Sequence, residues 1–144
     1  GDIENLPLDN DIADHVISNC VINLSLNKQQ VYNEAFRVLK KGGKIAVSDI
    51  VLVEELPKDI KNSLASHIAC VSGAEKIDDY LAYVNLAGFK DVKVESKANF
   101  PLELMLLDPQ IKSLAKEMNF DLDSKQAKEL ASKVVSISLT AKKM

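Results

Sequence analysis

Residues 28–53, KQQVYNEAFRVLKKGGKIAVSDIVLV, decide the fold. Val31, Ala35 and then Val38 or Leu39 recur at helical spacing, so a helix is expected over 28–39. Lys40-Lys41-Gly42-Gly43 should stop it: cations suit the negative end of the helix dipole, and glycine can take a left-handed cap. KIAVSDIVLV (44–53) is a near-continuous apolar run, the pattern of a strand buried on both faces in a parallel sheet. Working outward, ADHVISNCVINL (13–24) holds a second such run. A strand is expected there at about 14–19, with polar Ser18 and Asn19 at its carboxyl end. Strand, helix, Gly-Gly turn and strand make a βαβ unit, and ligands of such folds bind beyond the carboxyl ends of the strands. Ser25 or Asn27 can cap the helix, because a short polar side chain accepts orphan backbone N–H groups.

Downstream, Pro57 suits the first turn of a helix. Its apolar face would run Ile60, Leu64 and Ile68, or Leu64, His67 and Val71, and carry Cys70 near its end. Residues 77–87 predict another helix with Ile77, Leu81 and Val84 inward, closed by Gly88. Val92 and Val94 alternate with charges in KDVKVESK (90–97), a strand with one wet face. Pro101 to Lys133 is helical in pattern, in two pieces broken near Asp121-Leu122-Asp123, the second capped by Asp123 or Ser124. VVSISLTAKK (134–143) alternates as a last strand. The expectation is an α/β domain whose sheet and covering helices occupy 1–98 and 134–144, with a helical insertion over 99–133.

The chain has 144 residues, enough for one domain with one core. A net charge of −3 argues against a nucleic-acid surface, which would be basic. No apolar run approaches the ~20 residues that cross a bilayer. No secretory leader is visible, and two cysteines are too few for a disulfide framework. The expected setting is therefore a reducing cytoplasm. Gly1 leads at once into a mid-domain pattern, so the chain is expected to be a fragment.

Several chemistries are excluded by pattern. The adjacent glycines follow a helix, so they make neither a Walker loop nor a dinucleotide turn. His15 and His67 are not at metal spacing, no CxxC or HExxH occurs, and no GxSxG elbow is present. Cys20 and Cys70 remain. Each alone reads as a small buried hydrophobe. Both also fall at cleft positions, and two converging thiolates would bind a soft ion such as arsenic(III), copper(I) or zinc. Spacing does not show that they converge. The opening GDIENLP reads as an acidic loop, or as a strand end whose carboxylate and backbone could meet a base edge.

GDIENLPL, ADHVISNCVINL and EAFRVLKKGGKIAVSDI together resemble the second half of the class I S-adenosylmethionine-dependent methyltransferases. SNCVINL (18–24) and ACVSGA (69–74) make the chain most similar to the arsenite methyltransferases. The match is strong over 1–95, weak over 100–133, and returns faintly at the last strand. The resemblance implies a Rossmann-like sheet containing strands 4, 5, 7 and 6 of that fold, with a helical segment between the last two in sequence. It implies S-adenosylmethionine as cofactor. Asp2 would accept from the adenine amine, the backbone of Ile3 would donate to the ring, Glu4 would lie beside them, and Asn19 would sit near the methionine moiety. Cys20 and Cys70 would be the catalytic pair, holding arsenic(III) as thiolates. The substrate would be a small molecule, arsenite or its thiol conjugate, with no nucleic acid or membrane as partner.

The family's glycine-rich first turn, its ribose-binding acid and its third thiolate have no counterpart in these residues, and Ala69 departs from a more polar family position. The isolated chain is accordingly expected to be inactive, and its first strand, lacking a neighbour, is expected to form a homodimer through its open edge. Two other readings compete. One is a methyltransferase for another small molecule, with structural cysteines. The other is a non-catalytic metalloid-binding or assembly module.

Overall fold

The computed structural model describes residues 1–58, 73–99, 109–117, 119 and 125–144. The helix expected from Pro57, with His67 and Cys70, lies outside the described residues, as do Asp123 and Ser124. The first strand, β1, spans Ala13–Asn19 and is followed by a 3-10 turn at Ile22–Leu24. Helix α1 (Lys28–Val38) leads into β2 (Leu39–Leu52), and α2 (Ile77–Leu86) into β3 (Lys90–Asn99). Two short helices, α3 (Pro109–Glu117) and α4 (Lys125–Ser132), precede β4 (Val134–Lys142).

The strands form one sheet in the order β1-β2-β4-β3. The β1·β2 pair is parallel, with Val16 opposite Ile45 and Asn19 opposite Ser48. β4 runs antiparallel to both its neighbours, with Leu139 opposite Val47 and Val94. The last strand in sequence therefore slots between the second and third, the order the resemblance implies.

One face of the sheet carries the core. Ile45, Val47 and Val51 of β2 and Val135, Ile137, Leu139 and Ala141 of β4 pack against Val31, Tyr32 and Ala35 of α1 and Tyr80 and Val84 of α2. Two edge-to-face ring pairs lock it: Tyr32 on Tyr80 at 5.9 Å, and Phe36 on Phe89 at 5.1 Å. Such pairs add to simple area burial because a ring's positive edge meets a negative face. A smaller apolar cluster on the other side of β2 joins Ile50, Leu52, Leu56, Ala74 and Val134.

The structure corrects three local expectations. Helix α1 does not end in a glycine cap. Leu39 is already extended (φ −71°, ψ 137°) and β2 begins there, so Gly42-Gly43 lie inside the strand instead of before it. Burial explains this: Leu39 is fully buried opposite Ala13, and Gly42 and Gly43 pair with the backbone of Lys143. On α2 the deepest side chains are Tyr80 and Val84, with Ile77 and Leu81 only flanking the core. β3 is exposed along almost its whole length, Val94 included, because it is an edge strand. Among the possible caps, Asn27 holds the N-cap of α1, accepting from Gln30 N at 3.1 Å.

Candidate functional site

The carboxyl ends of β1 and β2 meet at residues 19–23 and 48–52. Cys20 follows β1 directly and takes a left-handed backbone (φ 59°). For a residue with a Cβ that conformation costs about 1–2 kcal/mol and persists only where the surroundings enforce it. Here they do. Cys20 N donates to Ser48 O at 2.8 Å. Asn23 N donates to Asp49 Oδ2 at 3.2 Å, and Asn23 Nδ2 donates to Ile50 O at 2.6 Å. Cys20 itself is half-buried against the smaller apolar cluster.

Asp49 was not singled out by sequence, yet it is the most buried charged residue described, 2% exposed. Tyr80 Oη donates to its Oδ2 at 2.9 Å, and Ile50 N donates to its Oδ1 at 3.0 Å. Burial pushes the carboxyl above its ordinary 3.8, against the opposing pull of those hydrogen bonds and of Lys28. The phenols of Tyr80 and Tyr32 are pushed upward too, chiefly by burial, so both stay neutral, and that of Tyr80 is the one that donates to Asp49. Lys28, almost fully buried at the start of α1, lies 4.0 Å from Glu75 Oε2.

A raised folded-state pKa means that Asp49 adds stability below the unfolded value and that this contribution is lost as pH rises through the folded value. The stability advantage of wild type over Asp49→Asn should therefore shrink in urea titrations as pH rises above the ordinary carboxylate value. An advantage that stayed constant or grew with pH would contradict the burial argument.

The segment after Cys70 returns to the same place. Leu52 N donates to Glu75 O at 2.8 Å, and Leu52 forms a parallel bridge with Lys76. Gly73 is pressed on the turn so closely that a Cβ there would sit 1.9 Å from Asn23 O. Gly73 and Asn23 each lie three residues beyond a cysteine. This contact is long-range, and only a glycine followed by an otherwise unremarkable Ala-Glu hinted at it in the sequence.

The opening residues form a turn anchored on α1. Glu4 N donates to Asp2 Oδ1 at 2.9 Å, and Asn5 N to Asp2 O at 3.0 Å. Asp2 is exposed, while Ile3 packs on the core. The Glu4 carboxylate accepts from Ser25 Oγ and from Asn27 N, so it closes the start of α1. Leu6 N donates to Glu34 Oε2 at 2.7 Å, and Arg37 grips that carboxylate at 2.7 and 2.8 Å while donating to Leu6 O and Leu8 O. The Arg37 guanidinium holds Glu34 below the usual carboxylate range. Asn19 is exposed at the end of β1. Asn19 and Cys20 therefore stand at the carboxyl end of β1, whereas Asp2 lies on the turn that Glu4 helps to fasten to the start of α1. Among the described residues no group of three or more His, Cys, Asp or Glu could hold a metal ion, and no helix is long and apolar enough to cross a membrane.

Comparison with known proteins follows this geometry. The arsenite methyltransferase of Halobacterium salinarum is 40% identical over 97 residues, covering 67% of this chain and 25% of that protein. The chain thus spans about a quarter of that relative's length. The crystal structure of CrArsM, an arsenic(III) S-adenosylmethionine methyltransferase from Chlamydomonas reinhardtii, matches all of this chain and 42% of its own at a TM-score of 0.69 and 27% identity. Phosphoethanolamine N-methyltransferase 2 of Haemonchus contortus, solved with S-adenosyl-L-methionine, shares the fold at a TM-score of 0.65 and 15% identity, over 99% of this chain and 36% of that one. The profile of the methyltransferase domain family matches residues 1–88, well over half of the chain, and with the sheet order and the strand-end site it establishes that this protein belongs to that family.

Proposed function

We propose that the chain is the substrate-binding part of an S-adenosylmethionine-dependent methyltransferase acting on arsenic(III), with Cys20 and Cys70 as the thiolates that hold the metalloid. The observation that carries this reading is the Gly73–Asn23 contact, which ties the segments following the two cysteines together at the sheet's carboxyl end. The names of the similar proteins supply the substrate class. Thiolate sulfur is soft and suits arsenic(III), where hydroxyl or carboxylate oxygen would not.

The cofactor's contribution is an electrophilic sulfonium methyl, open to attack by the arsenic lone pair. The chain's own residues bind and orient. Asp2, exposed on its turn, is suited to accept from an adenine amine, with Ile3 supplying backbone beside it and Asn19 close to the end of β1. Glu4 fits a supporting part, since Ser25 and Asn27 already occupy its carboxylate. Cys20 and Cys70 present the arsenic in line and shield it from water, so positioning and desolvation are the protein's main catalytic terms.

Arsenite titration of the full-length protein, followed by intact mass, tests the reading. One arsenic should be retained per wild-type chain and lost from Cys20→Ser. Retention by both Cys20→Ser and Cys70→Ser would favour a methyltransferase for another small molecule, with the cysteines structural.

The open edge of β1 supports a second element of the proposal. Ile17 on that strand is 80% exposed, and β1 has β2 as its only neighbour among the described residues. An edge whose backbone has no neighbour on one side invites another strand, and only Asp14, at the start of β1, puts a charge on it. The isolated chain is expected to sediment as a homodimer at micromolar concentration and to become a monomer as Ile17→Lys. A monomeric wild-type chain would remove this element and leave the rest.

A further inference from the structure

We infer that Asp49 and Tyr80 are positioning residues that aim the Cys20 thiol. This deepens the proposed function and rests on its reading of Cys20 as an arsenic ligand.

Cys20 has a backbone that an L-residue adopts reluctantly. Left to itself the strand end would relax to negative φ and swing the Cβ–Sγ bond to another direction. Two fixed points prevent this. On the near side, Cys20 N is held by Ser48 O of β2. On the far side, the 3-10 turn is held by Asn23, whose backbone N–H donates to Asp49 Oδ2 and whose amide donates to Ile50 O. All three acceptors belong to consecutive residues of one buried strand. Residues 48–50 thus hold the backbone on both sides of Cys20.

Asp49 is unusual among them. A backbone carbonyl or an apolar residue would suffice for packing, and a carboxylate 2% exposed is costly to bury. The hydroxyl of Tyr80, itself fully buried on α2, completes its partners at 2.9 Å. Lys28 is the nearby cation, and Tyr32 the other phenol in the group. Without the Tyr80 hydroxyl the carboxylate would lose one donor and take up a proton more readily. A protonated carboxyl is a weaker acceptor for Asn23 N–H, so the turn would loosen at the end that bears the thiol. Tyr80 therefore acts on Cys20 through Asp49 and Asn23, although it lies on a helix 60 residues away in sequence.

The test compares four variants of the full-length protein, with arsenite alone as the probe. Tyr80→Phe is the decisive one, since it removes a single hydroxyl and leaves the ring packing. Asp49→Asn is the stronger perturbation. Cys20→Ser reports on the reading itself. Phe89→Leu disturbs the core at the Phe36 contact and serves as a destabilised control. The dissociation constant for arsenite should rise about tenfold in Tyr80→Phe and more in Asp49→Asn, while that for S-adenosylmethionine stays within about twofold. Peptide-resolved alkylation of Cys20 by iodoacetamide should shift its pH profile in the same two variants and stay put in Phe89→Leu. If Cys20→Ser loses arsenite while Tyr80→Phe binds it as wild type does, with the alkylation profile unmoved, the positioning role is overturned and the thiolate reading stands. If Cys20→Ser binds arsenite like wild type, the thiolate reading falls and the inference with it.

Discussion

Serine at position 20 or at position 70 should abolish arsenite methylation by the full-length protein while leaving the fold intact. The size of the effect follows from chelation. Two thiolates on one scaffold bind the metalloid as a unit, and the second contact is intramolecular. Losing it removes an effective-concentration advantage of roughly 10²–10⁴-fold. Serine does not replace it, because its oxygen is hard and stays protonated at neutral pH. Stability should change by less than about 1 kcal/mol at Cys20, a half-buried site where one atom is exchanged. Turnover with arsenite, read beside a urea titration of each variant, separates the two effects. Near-normal turnover in both single variants would favour the reading in which the cysteines only pack.

Gly73→Ala should be among the most damaging single-methyl changes available in the chain. The added Cβ would fall 1.9 Å from the carbonyl oxygen and 2.9 Å from the carbonyl carbon of Asn23. Both are backbone atoms, so no side chain can rotate away. The 73–76 segment would have to part from the 22–24 turn, disturbing the Leu52–Glu75 hydrogen bond and the burial of Ala74. Overpacking of this kind costs about 1–3 kcal/mol and more where backbone meets backbone. Gly42→Ala is the informative comparison. Gly42, unlike Gly73, has a positive φ, +85°, but its Cβ would meet nothing within 4 Å. It should cost only the left-handed penalty of about 1–2 kcal/mol. A Gly73→Ala variant no less stable than Gly42→Ala would mean that the two segments are not in contact, and would weaken the case that the two thiolates share one site.

The buried carboxylate and the proposed chemistry are connected by economy of placement. Asp49 ties down the turn that follows Cys20, and the same strand, through Leu52, ties down the segment that follows Cys70. β2 is therefore the common reference for both sides of the site. The N-terminal turn has a different reference, α1, through Glu4, Glu34 and Arg37. The residues proposed for the cofactor and those proposed for the substrate thus hang on adjacent elements of one βαβ unit, away from the exposed strand β3.

What the sequence alone determined is the local and periodic part. Apolar runs at 13–24 and 44–53, helical spacing at 28–39 and 77–87 and alternation at 134–143 gave the elements their identity. Cys20 falls where a strand of that length must end. The family resemblance, carried by GDIENLPL and SNCVINL, pointed to the sheet order because strand succession within a known fold is transferable. The tertiary structure decided the rest. Lys40-Lys41-Gly42-Gly43 has every local mark of a helix stop followed by a turn, but burial of Leu39 and pairing with Lys143, about a hundred residues away, drew it into β2. Glu4 reads as one acid of a loop, and only the fold shows that its carboxylate accepts from Ser25 and Asn27 at the start of α1. Asp49 reads as one polar residue in an apolar strand, and Tyr80 as one of two tyrosines on a helix, until the fold brings them within 2.9 Å. Gly73 is an ordinary loop glycine until Asn23 arrives against it. Each of these depends on partners 21 to 104 residues apart in the chain, and periodicity, which reports only on near neighbours, carries no information about contacts closed over such distances.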